Sequence, residues 1–185
     1  MWRTTRILYL GARFRRDGSG NMIEFDITLT QKDMYRFNLY QTYTGFQGWL
    51  SVLAGILFVA AGVIYGKTEP LHCVLYIVFG IVLLVYLPAG LYLRSKKRFM
   101  TTDSLKKPLH YQIAEEGITV SQEGENAALP WEQIYKMTAN KSQVLIYSGR
   151  VNAFVIPRAQ LGEHWGPLAE LATKKLPKYR LKMKV

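Results

Sequence analysis

Three histidines, one cysteine and a scatter of hydroxyls and carboxylates are the side chains here that could do chemistry. His72, His110 and His164 are too far apart in sequence to share a ligand spacing, and Glu163 beside His164 points the other way along the chain. Cys73 is alone, which excludes an internal disulfide and a cysteine-rich metal centre. No serine sits in a G-x-S-x-G elbow. No P-loop or dinucleotide fingerprint is present. The pair Glu115-Glu116 precedes a glycine and reads as a solvated turn. Asn140-Lys141-Ser142 matches a glycosylation acceptor, which a cytoplasmic loop makes irrelevant. The expectation is a protein with no catalytic residues, no cofactor, no bound metal and no enzymatic activity.

Charge points to a different kind of work. The net charge is +11, with residues 1–21, 22–100 and 101–185 contributing +4, +3 and +4. Such a balance suits nucleic acid or anionic lipid. Neither a zinc-finger pattern nor an aromatic RNP-type strand is found, so nucleic acid is not expected. Two basic groups stand out: Arg94, Lys96, Lys97 and Arg98, and the tail residues Lys178, Arg180, Lys182 and Lys184. Both are candidate contacts with a membrane surface, at about 1 kcal/mol per cation near anionic lipid. A solvated chain end is the competing reading of the tail.

The elements that position these charges are apolar. A mean hydropathy of zero hides an uneven chain. No charge falls between Arg36 and Lys67, nor between Glu69 and Arg94. A bilayer span needs about 20 predominantly apolar residues. A hairpin over 46–94 is predicted, with helices at about 47–66 and 71–93. Lys67-Thr68-Glu69 form its turn, and Pro70 suits a first helical turn. Helix two is expected to bend at Pro88 and to stop where the basic cluster begins. Trp49, Tyr65, Tyr86 and Tyr92 are interface anchors. Ser51, Gly55, Gly62 and Gly66 fit either close packing within the hairpin or contact with a second copy, a homo-oligomer. Lysine and arginine bias on both flanks predicts a multi-pass plasma-membrane protein with both termini cytoplasmic.

Residues 22–45 precede the hairpin. "IEFDITLT" alternates Ile23, Phe25, Ile27 and Leu29 with polar residues, a half-buried strand whose partners must come later. Gln31–Thr44 is a predicted helix. Its aromatics, Tyr35, Phe37, Tyr40 and Tyr43, suit an interfacial belt with Phe46 or packing on the protein's own sheet. Residues 1–21 form a basic leader. It is either a segment ahead of a natural start at Met22 or a lipid-touching arm.

After a linker at 101–107, residues 101–176 read as a β-rich cytoplasmic domain of four or five strands. Hairpins are expected over 109–122 and 143–157, with a loop at 123–126. A closing helix presents Leu168, Leu171, Ala172 and Leu176. A basic tail, 177–185, ends the chain. The whole is an α+β membrane protein: a two-helix transmembrane hairpin with a small pleckstrin-homology-like barrel or sheet closed by a C-terminal helix.

"LPWEQIYKM" (129–137) and "AFVIPRAQL" (153–161) resemble the two signature stretches of the YcxB-like bacterial membrane proteins. Trp131 with Ile134, and Ile156-Pro157-Arg158 with Leu161, carry the likeness, which covers about residues 22–176. It implies a pleckstrin-homology-like fold and brings no catalytic residues. Trp131, Ile134 and Pro157 are the domain's core signature, with Trp131 either a core anchor or a ligand platform and Pro157 ending an edge strand. Together these features suggest a membrane-anchored module binding a protein partner or anionic lipid headgroups. A structural or accessory subunit of a membrane transport complex is the alternative.

Overall fold

The computed structural model describes residues 22–66 and 70–183. The leader 1–21, the turn at 67–69, Lys184 and Val185 lie outside them. The chain divides into two units, Gln31–Thr102 and the remainder.

The first unit is helical: α1 (Gln31–Thr44), α2 (Phe46–Tyr65) and α3 (Pro70–Thr101). Gly45 adopts an extended conformation and separates α1 from α2. Gly48 lies so close to α1 that a Cβ there would sit 2.3 Å from the Thr42 carbonyl oxygen. α2 and α3 pack against each other through small residues. A Cβ on Gly62 would fall 2.7 Å from Ile77 Cγ1, and one on Gly80 would fall 2.8 Å from the Gly55 carbonyl oxygen. The two backbones therefore touch at Gly55 and Gly80, a close approach that only glycine allows. Gly55 and Gly62 are thus used within the hairpin. Gly80→Ala should destabilise the helix pair by about 1–3 kcal/mol, because the obstructing atom is backbone. Denaturation of the purified protein in detergent reads this out. Unchanged stability would mean that the helices do not meet at Gly80.

α3 corrects one expectation. It does not stop at Leu93 but runs through Pro88 and the whole basic cluster to Thr101. Past Gly90 no glycine or proline occurs until Pro108. Lysine and arginine are good helix formers, and near a C-terminus they face a favourable dipole. Thr101 closes the helix by donating its hydroxyl to the Lys97 carbonyl at 2.7 Å.

The second unit is built on two four-stranded sheets. β1 (Ile23–Ile27), β2 (Leu109–Ile113), β3 (Gly117–Gln122) and β4 (Glu125–Pro130) form an antiparallel sheet in that order. β5 (Lys136–Ala139), β6 (Gln143–Tyr147), β7 (Ala153–Pro157) and β8 (Leu181–Met183) form the other, ordered β7-β6-β5-β8. α4 (Arg158–Leu161) and α5 (Trp165–Lys175) follow β7. Ile23, Phe25, Ile27 and Leu29 are all buried and Glu24 and Asp26 exposed, as the alternation requires. Ile27 pairs with Leu109, so the entire helical unit is inserted into the connection of one antiparallel strand pair. α5 buries Leu168 and Ala172, and Leu176 is buried just beyond it.

Three further expectations change. The sheets do not close into a barrel. The loop at 123–126 shrinks to a two-residue turn, because Glu123 (φ 51°) and Gly124 (φ 87°) adopt the left-handed geometry that suits a tight hairpin. β4 therefore begins at Glu125. The described part of the tail is also held by the fold, since Leu181–Met183 lies parallel to β5 with Thr138 opposite Lys182.

Candidate membrane-facing and binding surfaces

Arg94, Lys96, Lys97 and Arg98 occupy the last two turns of α3, all exposed, around a buried Ser95. Asn38 of α1 donates its side-chain amide to the Ser95 hydroxyl at 2.8 Å. One turn earlier Tyr35 meets Tyr92 edge-on, with ring centroids 5.4 Å apart. Neither sequence reading of the α1 aromatics named α3 as their partner. Lys32 and Arg36 of α1 are exposed too. None of these six cations has an ion pair with a described residue.

Away from that end, apolar side chains are exposed along both long helices: Ile64 is 74% and Leu57 60% exposed on α2, and Leu71 70% and Val74 57% on α3. Phe46, Trp49, Tyr86 and Tyr92 are also exposed. By length and composition both helices suffice to cross a membrane.

The basic tail divides. Lys178 and Lys182 are exposed. Arg180 is taken by the fold, donating to the carbonyl oxygens of Glu132 at 3.0 Å and Ile134 at 3.2 Å. Its guanidinium pins the approach to β8 against the turn between β4 and β5. Trp131 opens that turn, 3% exposed, and donates its indole N–H to the Ala114 carbonyl at 3.0 Å. Ile134 is fully buried. Pro157 ends β7, an edge strand, and the next amide, of Arg158, donates to the Ser142 carbonyl at 2.9 Å.

One polar constellation was not legible in the sequence. Asp26, His110, Ser121 and Asn126 stand opposite one another across β1, β2, β3 and β4. They line an open cleft of about 250 Å³. His110 Nδ1 lies 2.7 Å from an Asp26 carboxylate oxygen. An acid–imidazole contact of this kind occurs in hydrolytic relays, where the imidazole also reaches a nucleophile. Among the described residues, however, no hydrogen bond joins His110 to Ser121. An open cleft on a sheet face also gives no exclusion of water, so the geometry favours polar binding over acyl transfer. No sequence signal could have found it, because each member comes from a different strand. Among the described residues no group of three or more His, Cys, Asp or Glu side chains is placed to hold a metal ion.

Two carboxylates are held below the usual range. Glu115 accepts a hydrogen bond from Lys175 Nζ at 2.8 Å, and that bond, with the lysine charge, lowers its pKa. Asp103 is lowered by the hydrogen bond and charge of Lys106. Burial pushes the Tyr111 phenol up, out of reach of ordinary pH. A depressed folded pKa gives stability that is present above the unfolded value, about 4.3 for Glu, and lost as pH falls through the folded one. The melting temperature of Glu115→Gln should therefore lie slightly below the parent's at pH 6, and the gap should narrow as pH falls below the ordinary Glu range. A gap that widened in acid would refute the assignment.

A family model described as YcxB-like protein matches residues 113–169. The matched segment is YcxB-like, and it contains both stretches, 129–137 and 153–161, that carry the resemblance. It is narrower than the 22–176 expected, leaving out β1, the helical unit, all but the last residue of β2 and the end of α5. No curated protein and no solved structure matches the chain.

Proposed function

We propose that the protein is a membrane-anchored binding module without enzymatic activity. In this reading α2 and α3 span the plasma membrane as an antiparallel hairpin. The sheet unit and both termini lie on the cytoplasmic side, where the sheet unit binds a protein partner or an anionic lipid surface. The observation that carries the reading is the outward exposure of apolar side chains along α2 and along the charge-free stretch of α3, residues 70–93. Core helices of a soluble protein would hide them. The orientation rests on the cations at one end of the hairpin, following the bias of cytoplasmic flanks. We assign the sheet unit to the pleckstrin-homology-like class, on the grounds of its two mainly antiparallel sheets and the helix α5 that follows β7, although the chain runs on from α5 to β8.

The accessory-subunit alternative drew on Ser51, Gly55, Gly62 and Gly66. Gly55 and Gly62 now have partners within the hairpin, so no observation favours it.

The test has two parts. The protein should remain in membranes through an alkaline carbonate wash, and a reporter fused after Val185 should be active on the cytoplasmic side. Release by carbonate, or a reporter active only outside, would end the reading.

A further inference from the structure

The helical unit carries more than a hairpin. α1 joins the same end of it by three contacts: Thr42 against Gly48 at the start of α2, Tyr35 on Tyr92, and Asn38 bonded to Ser95. The Asn38–Ser95 bond is notable because Ser95 is 1% exposed while both its neighbours, Arg94 and Lys96, are exposed cations. A polar contact buried beneath a ring of charge fixes which helix stands beside that ring. The residues next to α1's contact points include Arg36, and Lys32 lies one turn before Tyr35. The described part of this unit holds six cations and a single carboxylate, Asp33, which is buried. The charge is therefore unbalanced and concentrated at one end. Exposed Phe46 and Trp49 start α2 at that same end. Aromatic side chains next to lysines and arginines, above a charge-free apolar stretch, are the composition of a bilayer's headgroup layer.

We propose that α1 and the last turns of α3 form one cation collar, held together by the Asn38–Ser95 hydrogen bond, that gathers anionic phospholipid headgroups around the hairpin. The proposal rests on the spanning reading above and extends it. α1 is an element of the headgroup layer, and Lys32 and Arg36 act with Arg94, Lys96, Lys97 and Arg98. The ligand is a phosphodiester headgroup of net negative charge, recognised by several cations at once rather than by one pocket. Six unpaired cations are costly to hold together unless an anion neutralises them, and lipid phosphates supply one at the depth where aromatic anchors place the helix ends.

The full-length protein is reconstituted in phosphatidylcholine vesicles containing spin-labelled phosphatidylglycerol or spin-labelled phosphatidylcholine. The motionally restricted fraction of each label gives the selectivity. Wild type should prefer phosphatidylglycerol several-fold at low salt, and the preference should shrink as salt shortens the screening length. Lys32→Gln with Arg36→Gln should reduce it as much as Lys96→Gln with Lys97→Gln, by up to roughly fivefold per charge. Ser95→Ala retains all six charges and should also lower it, because α1 loses its hold on α3. Selectivity unchanged from wild type in the α1 double variant, or in Ser95→Ala, overturns the proposal. Carbonate resistance is scored in the same vesicles. Protein released by the wash overturns the spanning reading as well, whereas retained protein without headgroup selectivity overturns this inference alone.

Discussion

Removal of β1 is expected to unfold the sheet unit. A fragment spanning residues 101–185 keeps the whole YcxB-like segment and seven of the eight strands, yet it loses Ile23, Phe25, Ile27 and Leu29. Each of these is buried. Burial of a large apolar side chain contributes about 1.5–3 kcal/mol, so the four together account for about 6–12 kcal/mol. That is comparable with the entire stability of a small domain, about 5–15 kcal/mol. The loss also opens the edge of β2, which carries the buried Tyr111 and Ile113. A second attachment goes with it. The Gln160 side chain accepts from the Thr28 amide at 3.0 Å and donates to the Thr28 carbonyl at 2.8 Å, fastening the exit of β1 to α4. The complementary protein restores all of this. Joining Thr30 directly to Asp103 deletes the helical unit and leaves nine residues between the paired Ile27 and Leu109, ample for an antiparallel connection. Chemical denaturation should give a cooperative transition for the joined chain and none for residues 101–185. Cooperative unfolding of the shorter fragment would refute the argument. The joined chain also excludes α1, which belongs with the helical unit, and so isolates the sheet unit for lipid flotation.

What could be read from the sequence follows from which forces are local. β1 and α1 were readable because alternation in the strand, and the three-residue recurrence of Met34, Phe37 and Tyr40 in the helix, are written within each segment. Trp131 was legible only as one of two readings, core anchor or ligand platform, because sequence alone does not say which way a large aromatic faces; its burial agrees with the first. The end of α3 was misread because charge was taken as a stop signal. Charge ends a membrane span, but lysine and arginine are good helix formers and do not by themselves end a helix. β8 was missed for the opposite reason. Leu181, Lys182 and Met183 alternate, but three residues form a strand only because β5 offers an edge and Arg180 fastens the approach. Gly80 was overlooked because its partner, Gly55, lies across the hairpin, and sequence spacing along one helix says nothing about the facing one. The Asp26–His110–Ser121–Asn126 row depends on the register of three strand pairs, which no single segment encodes.

Trp131→Ala should be the most damaging single substitution in the sheet unit. The side chain is almost fully buried, and truncating a buried tryptophan costs about 3–5 kcal/mol. For a domain of this size each kcal/mol moves the melting temperature by about 4–8 °C, so a fall of more than about 10 °C is expected. The site explains why the cost is high. Trp131 begins the turn that carries the chain from β4 of one sheet to β5 of the other, and its indole N–H reaches back to Ala114 at the β2–β3 turn. One side chain therefore ties the crossing to the hairpin beneath it. Trp131→Phe keeps most of the volume and loses only the hydrogen bond, worth about 0.5–1.5 kcal/mol net, so it should fall between the parent and the alanine variant. The graded series separates the anchor from the platform. An anchor loses stability in the order parent, phenylalanine, alanine. A ligand platform would leave the melting temperature unmoved in both variants and lose only binding. An alanine variant within about 1 kcal/mol of the parent would overturn the core assignment and move Trp131 to the binding surface.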